Sequence, residues 1–215
     1  MRETSVMALD VVGFSKLMGE SPEITLETLS TRRKIIHQLI ITYEGRVFNE
    51  AGDSIVSEFP SPEAAARSAI EIQTEMSRLN MGSSAERRML FRAGINYGRV
   101  MDSEGNVFGD TVNVAARLEA ASSPEGVYIS EIAHRTLDPE IAEKFVYLGA
   151  LSLKNILSDV EVYVWTPGHQ TGRYGSSDTV RVTEATTIPG SLAVLELKNL
   201  SSDEERQYFC EGVSE

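Results

Sequence analysis

The stretch RVFNEAGDSIVSEF (46–59) constrains the fold more than any other segment. Two strand-like runs flank a tight AGD turn, which reads as an antiparallel hairpin with Asp53 at its tip. Upstream, SVMALDVV (5–12) is a short apolar run interrupted by Asp10 and followed by Gly13, as expected of a buried strand leading into a loop. Between the two, from about Thr25 to Tyr43, apolar residues recur at helical spacing (Leu26, Leu29, Ile35, Ile36, Leu39, Ile40), predicting an amphipathic helix that Gly45 ends. Pro60 and Pro62 precede a second helix, roughly Glu63–Leu79. FRAGINYGRV (91–100) reads as a strand with two glycines, and TVNVAARLEAA (111–121) as a helix with Asp110 near its start, where a carboxylate suits the dipole. GVYISE (126–131) and the segments around 145–149 and 160–166 are further strands. This order predicts an α+β fold, a ferredoxin-like βαββαβ core with additional C-terminal strands and a helix.

The formal net charge of −12 argues against a general nucleic-acid surface or an anionic membrane surface. A phosphorylated ligand would then need local cations or metals. The single cysteine, Cys210, excludes an internal disulfide and fits a reducing compartment. The N-terminus has no signal-peptide pattern, and no apolar window is long enough to span a bilayer, so the expectation is a cytoplasmic protein. Residues 168–190 are rich in Gly, Ser and Thr and read as a linker after a first domain over 1–167. Residues 191–215 read as the opening of a further region, truncated at Glu215.

Asp10 and Asp53 lie 43 residues apart, and in a ferredoxin-like sheet the first strand runs beside the hairpin, so their carboxylates can converge. Two close carboxylates repel unless a cation lies between them, and hard oxygen ligands suit Mg²⁺ or Mn²⁺. Two metals on such a pair can activate an attacking oxygen and hold a triphosphate for in-line displacement. Residues 11–15, through Phe14 and Ser15, would offer backbone N–H groups to phosphate oxygens at a helix start. Each Asp taken alone also fits an ordinary turn, so the pair by itself does not decide the matter.

ALDVVGFSKLM, NEAGDSIVSEF, AGINYGRV and GDTVNVAARLEAA together resemble, in order and spacing, the class III adenylate and guanylate cyclase homology domain, over about residues 3–167. The resemblance implies an enzyme that attacks the α-phosphorus of a nucleoside triphosphate with the ribose 3′-oxygen, releasing pyrophosphate and a 3′,5′-cyclic nucleotide. It implies Asp10 and Asp53 as metal carboxylates for two Mg²⁺ or Mn²⁺ ions, with the backbone carbonyl of Val11. It implies Asn113 and Arg117, four residues apart on one helical face, as the pair that orients the ribose and neutralises the α-phosphate. Lys154 in LSLKNI aligns with a lysine that grips the terminal phosphates, and Arg99 is a second candidate phosphate holder. In this family the carboxylates and the Asn/Arg pair reach one nucleotide from different subunits, which implies a homodimer with shared sites. A catalytically dead nucleotide sensor is the alternative from another class.

The chain departs from the family where the base is read. Adenylate cyclases place Lys at the position of Asn49 and Asp or Thr at that of Asn106, and guanylate cyclases carry neither amide. Two amides can each donate and accept. The amides favour a pyrimidine triphosphate, UTP slightly ahead of CTP, as in the superfamily's bacterial cyclases that make cyclic UMP or cyclic CMP in anti-phage signalling; ATP in a relaxed pocket is the alternative. Tyr97 and Phe108 are the expected bulk narrowing a pyrimidine pocket. The segment from 191 is similar to the opening of the TolB-like region that follows cyclase domains in one bacterial branch.

Overall fold

A computed structural model describes residues 1–103 and 105–168. The expected linker over 168–190, beyond Gly168, and the TolB-like opening over 191–215 lie outside the described residues. In chain order the elements are β1 (Arg2–Val11), α1 (Phe14–Glu20), α2 (Pro22–Thr42), β2 (Arg46–Ala51), β3 (Ser54–Phe59), α3 (Pro62–Met81), β4 (Phe91–Ser103), β5 (Asn106–Phe108), α4 (Asp110–Ala121), β6 (Val127–Ser130), α5 (Glu131–His134), α6 (Pro139–Ala142), β7 (Val146–Leu151) and β8 (Val160–Trp165). The sheet runs β2-β3-β1-β4-β6-β8-β7, with β5 hairpinned onto β4. Its first four strands are antiparallel in the ferredoxin-like order, and β6 joins β4 in parallel.

β1 is the centre of this core, flanked by β3 and β4, and Val6 to Leu9 are at most 2% exposed. A strand covered on both faces reads as an unbroken apolar run rather than an alternation. Met7, Leu9 and Val11 meet Leu29, Ile36 and Ile40 of α2 and Ala65, Ala69, Ile72 and Met76 of α3 in the main core. Val6 and Ala8 face the other way, onto Ala115 of α4 with Val100 and Val107. Asp10, the next residue on that second face, is half-buried.

The helix predicted from Thr25 starts at Pro22, with proline in the first turn and Ser21 as its N-cap. The unpredicted α1 lies just before it, its chain turned by Gly13 at φ +68°. Among the described residues no helix is long and apolar enough to cross a membrane.

The two glycines of FRAGINYGRV explain how α4 sits. Arg92, Gly94, Asn96 and Gly98 alternate onto the α4 face. A Cβ on Gly94 would lie 2.2 Å from the Glu119 backbone nitrogen and 2.3 Å from the Ala115 carbonyl oxygen. One on Gly98 would lie 2.8 Å from Thr111 Oγ1. The absent side chains let the helix backbone rest directly on β4. Gly94→Ala should therefore cost about 1–3 kcal/mol by overpacking, measured by urea unfolding. Gly19→Ala is the control, since its Cβ meets nothing within 4 Å and alanine is favoured over glycine in a helix by about 0.5–1 kcal/mol. Equal effects at the two positions would contradict this account of α4 docking.

Candidate active site

The β1–β4 register sets Asp10 opposite Arg92. Arg92 Nη2 donates to Asp10 Oδ2 at 3.1 Å and Nη1 to the Ala120 carbonyl at 3.0 Å. Its Nε lies 2.7 Å from Glu119 Oε1, a close ion pair in which the N–H is not aimed squarely at the oxygen. The hairpin supplies the second carboxylate. Ala51 pairs with Ser54, leaving Gly52 and Asp53 as a two-residue turn with positive φ at Gly52 alone, where a II′ turn takes glycine. Arg33 of α2 donates to the Gly52 carbonyl, and His37 Nε2 lies 2.7 Å from Glu50 Oε1, so α2 braces the hairpin. The pairing of β3 with β1 ends at Leu9 opposite Ile55 and carries Asp53 to the end of β1.

Burial first, then the charge and hydrogen bond of Asp10, push the Asp53 carboxyl above the usual carboxylate range; the backbone N–H groups of Asp53 and Val11 act the other way. Glu119 is pushed from 4.5 to about 7, chiefly by burial, with Asp10 and Asp53 adding to the shift and Arg92 opposing it. Asp10 and Glu119 thus share one guanidinium, and Asp53 adds its charge beside Asp10. Among the described residues no group of three or more His, Cys, Asp or Glu side chains could hold a metal ion. Asp10, Asp53 and a backbone carbonyl make a partial oxygen set, which fits a Mg²⁺-type ion that fills its remaining positions with phosphate and water.

The other expected residues are placed as follows. The Val12 N–H is taken by the Leu90 carbonyl. Phe14, half-buried against the main core, and exposed Ser15 then open α1, where helical N–H groups have no intrahelical partner. Asn113 is exposed and Arg117 half-buried on α4, and among the described residues neither side chain has a hydrogen-bond or ion-pair partner. Lys154 is exposed in the β7–β8 connection. Asn49 is exposed on β2 next to an irregularity in its pairing, and Asn106 opens β5. Arg46 Nη1, donating to the Gly105 carbonyl at 2.8 Å, ties those two strands together. Phe108 is 51% exposed beside Met101, its cross-strand partner.

Two expectations need correction. Tyr97 is half-buried against the main core on the face away from α4, and its hydroxyl donates to Glu3 Oε2 at 3.1 Å, so it lies apart from the α4 face that carries Asp10 and Arg92. Arg99 lies on that same face, 4.0 Å from Glu3. The arginine that meets the carboxylates is Arg92. Strand parity could have found it: it shares its face with Gly94 and Gly98, the glycines that admit a helix, and Arg99 does not. Glu119 carries no local signal in the sequence, and only its contact with Arg92 on β4 reveals it.

The fold is that of a nucleotide cyclase domain: residues 1–166 match the adenylate and guanylate cyclase catalytic domain family, and the chain belongs to it. The putative adenylate cyclase 3 of Rhizobium meliloti (strain 1021) is 33% identical over 217 residues, covering 100% of this chain and 36% of that protein. The adenylate cyclase of Glutamicibacter nicotianae is 27% identical over 129 residues, 60% of this chain and 30% of that one. The chain thus spans about a third of the length of these curated relatives. Among solved structures, the adenylate/guanylate cyclase/hydrolase from Silicibacter pomeroyi is 35% identical with a TM-score of 0.72, over 77% of this chain and 97% of that one. The adenylyl cyclase CyaB from P. aeruginosa, 21% identical with a TM-score of 0.65 over 80% and 97%, shares the fold.

Between pH 4.5 and about 7 the folded chain holds a proton on Glu119 that an unfolded chain has released. Stability from this group is therefore full at low pH and lost as pH rises through about 7. In metal-free protein, wild type should lose thermal stability relative to the isosteric Glu119→Gln variant as pH rises from about 5 to 8. Parallel Tm–pH curves would contradict the raised value.

Proposed function

We propose that this chain forms a homodimeric class III cyclase that closes ATP into 3′,5′-cyclic AMP and pyrophosphate. The observation that carries this is the meeting of Asp10 and Asp53 at the end of β1, beside Arg92. Two Mg²⁺ or Mn²⁺ ions held there would neutralise the triphosphate and lower the pKa of the attacking 3′-hydroxyl. Asp10 and Asp53 supply the anionic oxygens and Val11 its carbonyl. Lys154 adds positive charge for phosphate in a chain whose net charge is −12. Asn113 orients the ribose, and Arg117 neutralises charge developing on the α-phosphate, where fixed donors are most effective. Both stand uncommitted on α4, which suits a role toward the nucleotide of a second copy. The region after residue 167 would be a linker and the start of a further module, in keeping with the greater length of the relatives.

Two findings favour ATP over the pyrimidine expected from the amides. Tyr97 lies on the face away from α4, against the main core, and relatives that align over much or all of the chain carry the name adenylate cyclase. A pyrimidine triphosphate is the second reading. It rests on Asn49 and Asn106, exposed amides without side-chain partners among the described residues, and on exposed Phe108. Its product would be a cyclic UMP or cyclic CMP signal.

Incubation with each of the four ribonucleoside triphosphates and Mn²⁺ should give cyclic AMP. Turnover of UTP or CTP alone would install the second reading, and no pyrophosphate from any of them would leave only a nucleotide sensor. Shared sites make a further prediction. Asp53→Ala and Arg117→Ala should each be inactive alone, whereas a mixture allowed to exchange subunits should recover about a quarter of wild-type activity, one intact site in each heterodimer. No recovery from exchanged subunits would sink the shared-site assignment.

A further inference from the structure

Glu119 is a buried carboxylate to which the proposed chemistry gives no role. It is 8% exposed and lies on the strip of α4 that rests on Gly94, with its backbone fixed there by the missing Cβ. A buried charge needs a partner, and the partner is Arg92. Arg92 is held from three sides: 2.7 Å to Glu119, 3.0 Å to the Ala120 carbonyl and 3.1 Å to Asp10. The two closer contacts both come from the end of α4. The Glu119 contact is the shortest, an ion pair whose N–H is not aimed squarely at the oxygen, and the Asp10 contact is the longest of the three. Two of the three contacts therefore anchor the guanidinium on α4, and the third reaches Asp10.

We propose that Glu119 is a positioning residue of the metal half-site, holding Arg92 back on α4 so that Asp10 stays free to receive a divalent cation. Without Glu119, Asp10 is the only carboxylate left to Arg92 among the described residues, and the guanidinium closes on the oxygen a cation must reach. With Glu119 in place, the Arg92–Asp10 contact can be exchanged for a metal without leaving either charge buried and unpaired, the costly outcome for a buried ion pair. Gly94, Glu119, Arg92 and Asp10 then form one mechanical chain from a packing constraint to a ligand. This inference rests on Asp10 and Asp53 as the cation-holding pair.

The test is Mn²⁺ binding to the full-length chain without nucleotide, followed by the EPR signal of free Mn²⁺. Both Glu119→Gln and Glu119→Asp should weaken binding about tenfold, the scale seen when groups behind a metal ligand are removed. The Asp variant keeps the charge and retracts it by one methylene, so it separates position from charge. Arg92→Met, which removes the competing cation, should move affinity the other way. Circular dichroism shows whether each variant is folded. Wild-type affinity in Glu119→Asp, with loss only in Glu119→Gln, would show that charge alone matters and overturn the proposal. Unchanged affinity in both Glu119 variants, or weaker binding in Arg92→Met, would overturn it too. If wild type itself binds no Mn²⁺, the carboxylate assignment fails and this inference with it.

Discussion

The antiparallel pairing of β1 with β4, from Arg2 opposite Val100 to Val11 opposite Phe91, is the constraint on which the rest depends. It does two jobs at once. One face of the paired strands carries Met7, Leu9, Phe91, Ala93 and Ile95 into the core under α2 and α3. The other brings Asp10 beside Arg92 and presents Gly94 two residues further on. A shift of one residue would reverse every side chain, placing the carboxylate in the apolar core and the glycine where no helix needs it. The hydrophobic pattern that stabilises the sheet therefore also fixes the register of the chemistry.

Charge in the site is deliberately unbalanced. Asp10 and Glu119 share one guanidinium while Asp53 stands beside Asp10 without a cation of its own among the described residues, and the cost is visible in the upward displacement of Asp53 and Glu119. A site tuned for stability alone would match each carboxylate with a cation. One that leaves negative charge uncompensated gains most from a divalent ion, and an activity that depends on such a site trades against stability. The bracing of the hairpin by Arg33 and His37, from a helix otherwise devoted to the core, fits the same logic: the turn carrying Asp53 is held from outside.

Much of this was legible from local signals. The hairpin and Asp53 followed from a glycine turn between two strand-like runs, and the Asn113–Arg117 helix from its spacing. The separate α1 was not, because Ser21-Pro22 can begin a helix without revealing that another ends just before it. Arg92 and Arg99 lie in one strand, and only face parity tells them apart. An aromatic such as Tyr97 in a half-buried strand fits a core and a ligand pocket equally well until its neighbours are known. Glu119 lies far in sequence from Asp10, and its meaning comes wholly from tertiary contact.

The central claim is that Asp10 and Asp53 form one cation-binding centre. Anomalous diffraction from crystals grown with Mn²⁺ and a non-cyclisable ATP analogue tests it most directly. The account predicts Mn²⁺ peaks bridging the two carboxylates, with the triphosphate completing their coordination. Nucleotide bound with no anomalous density between Asp10 and Asp53, or with metal held elsewhere on the chain, would contradict it.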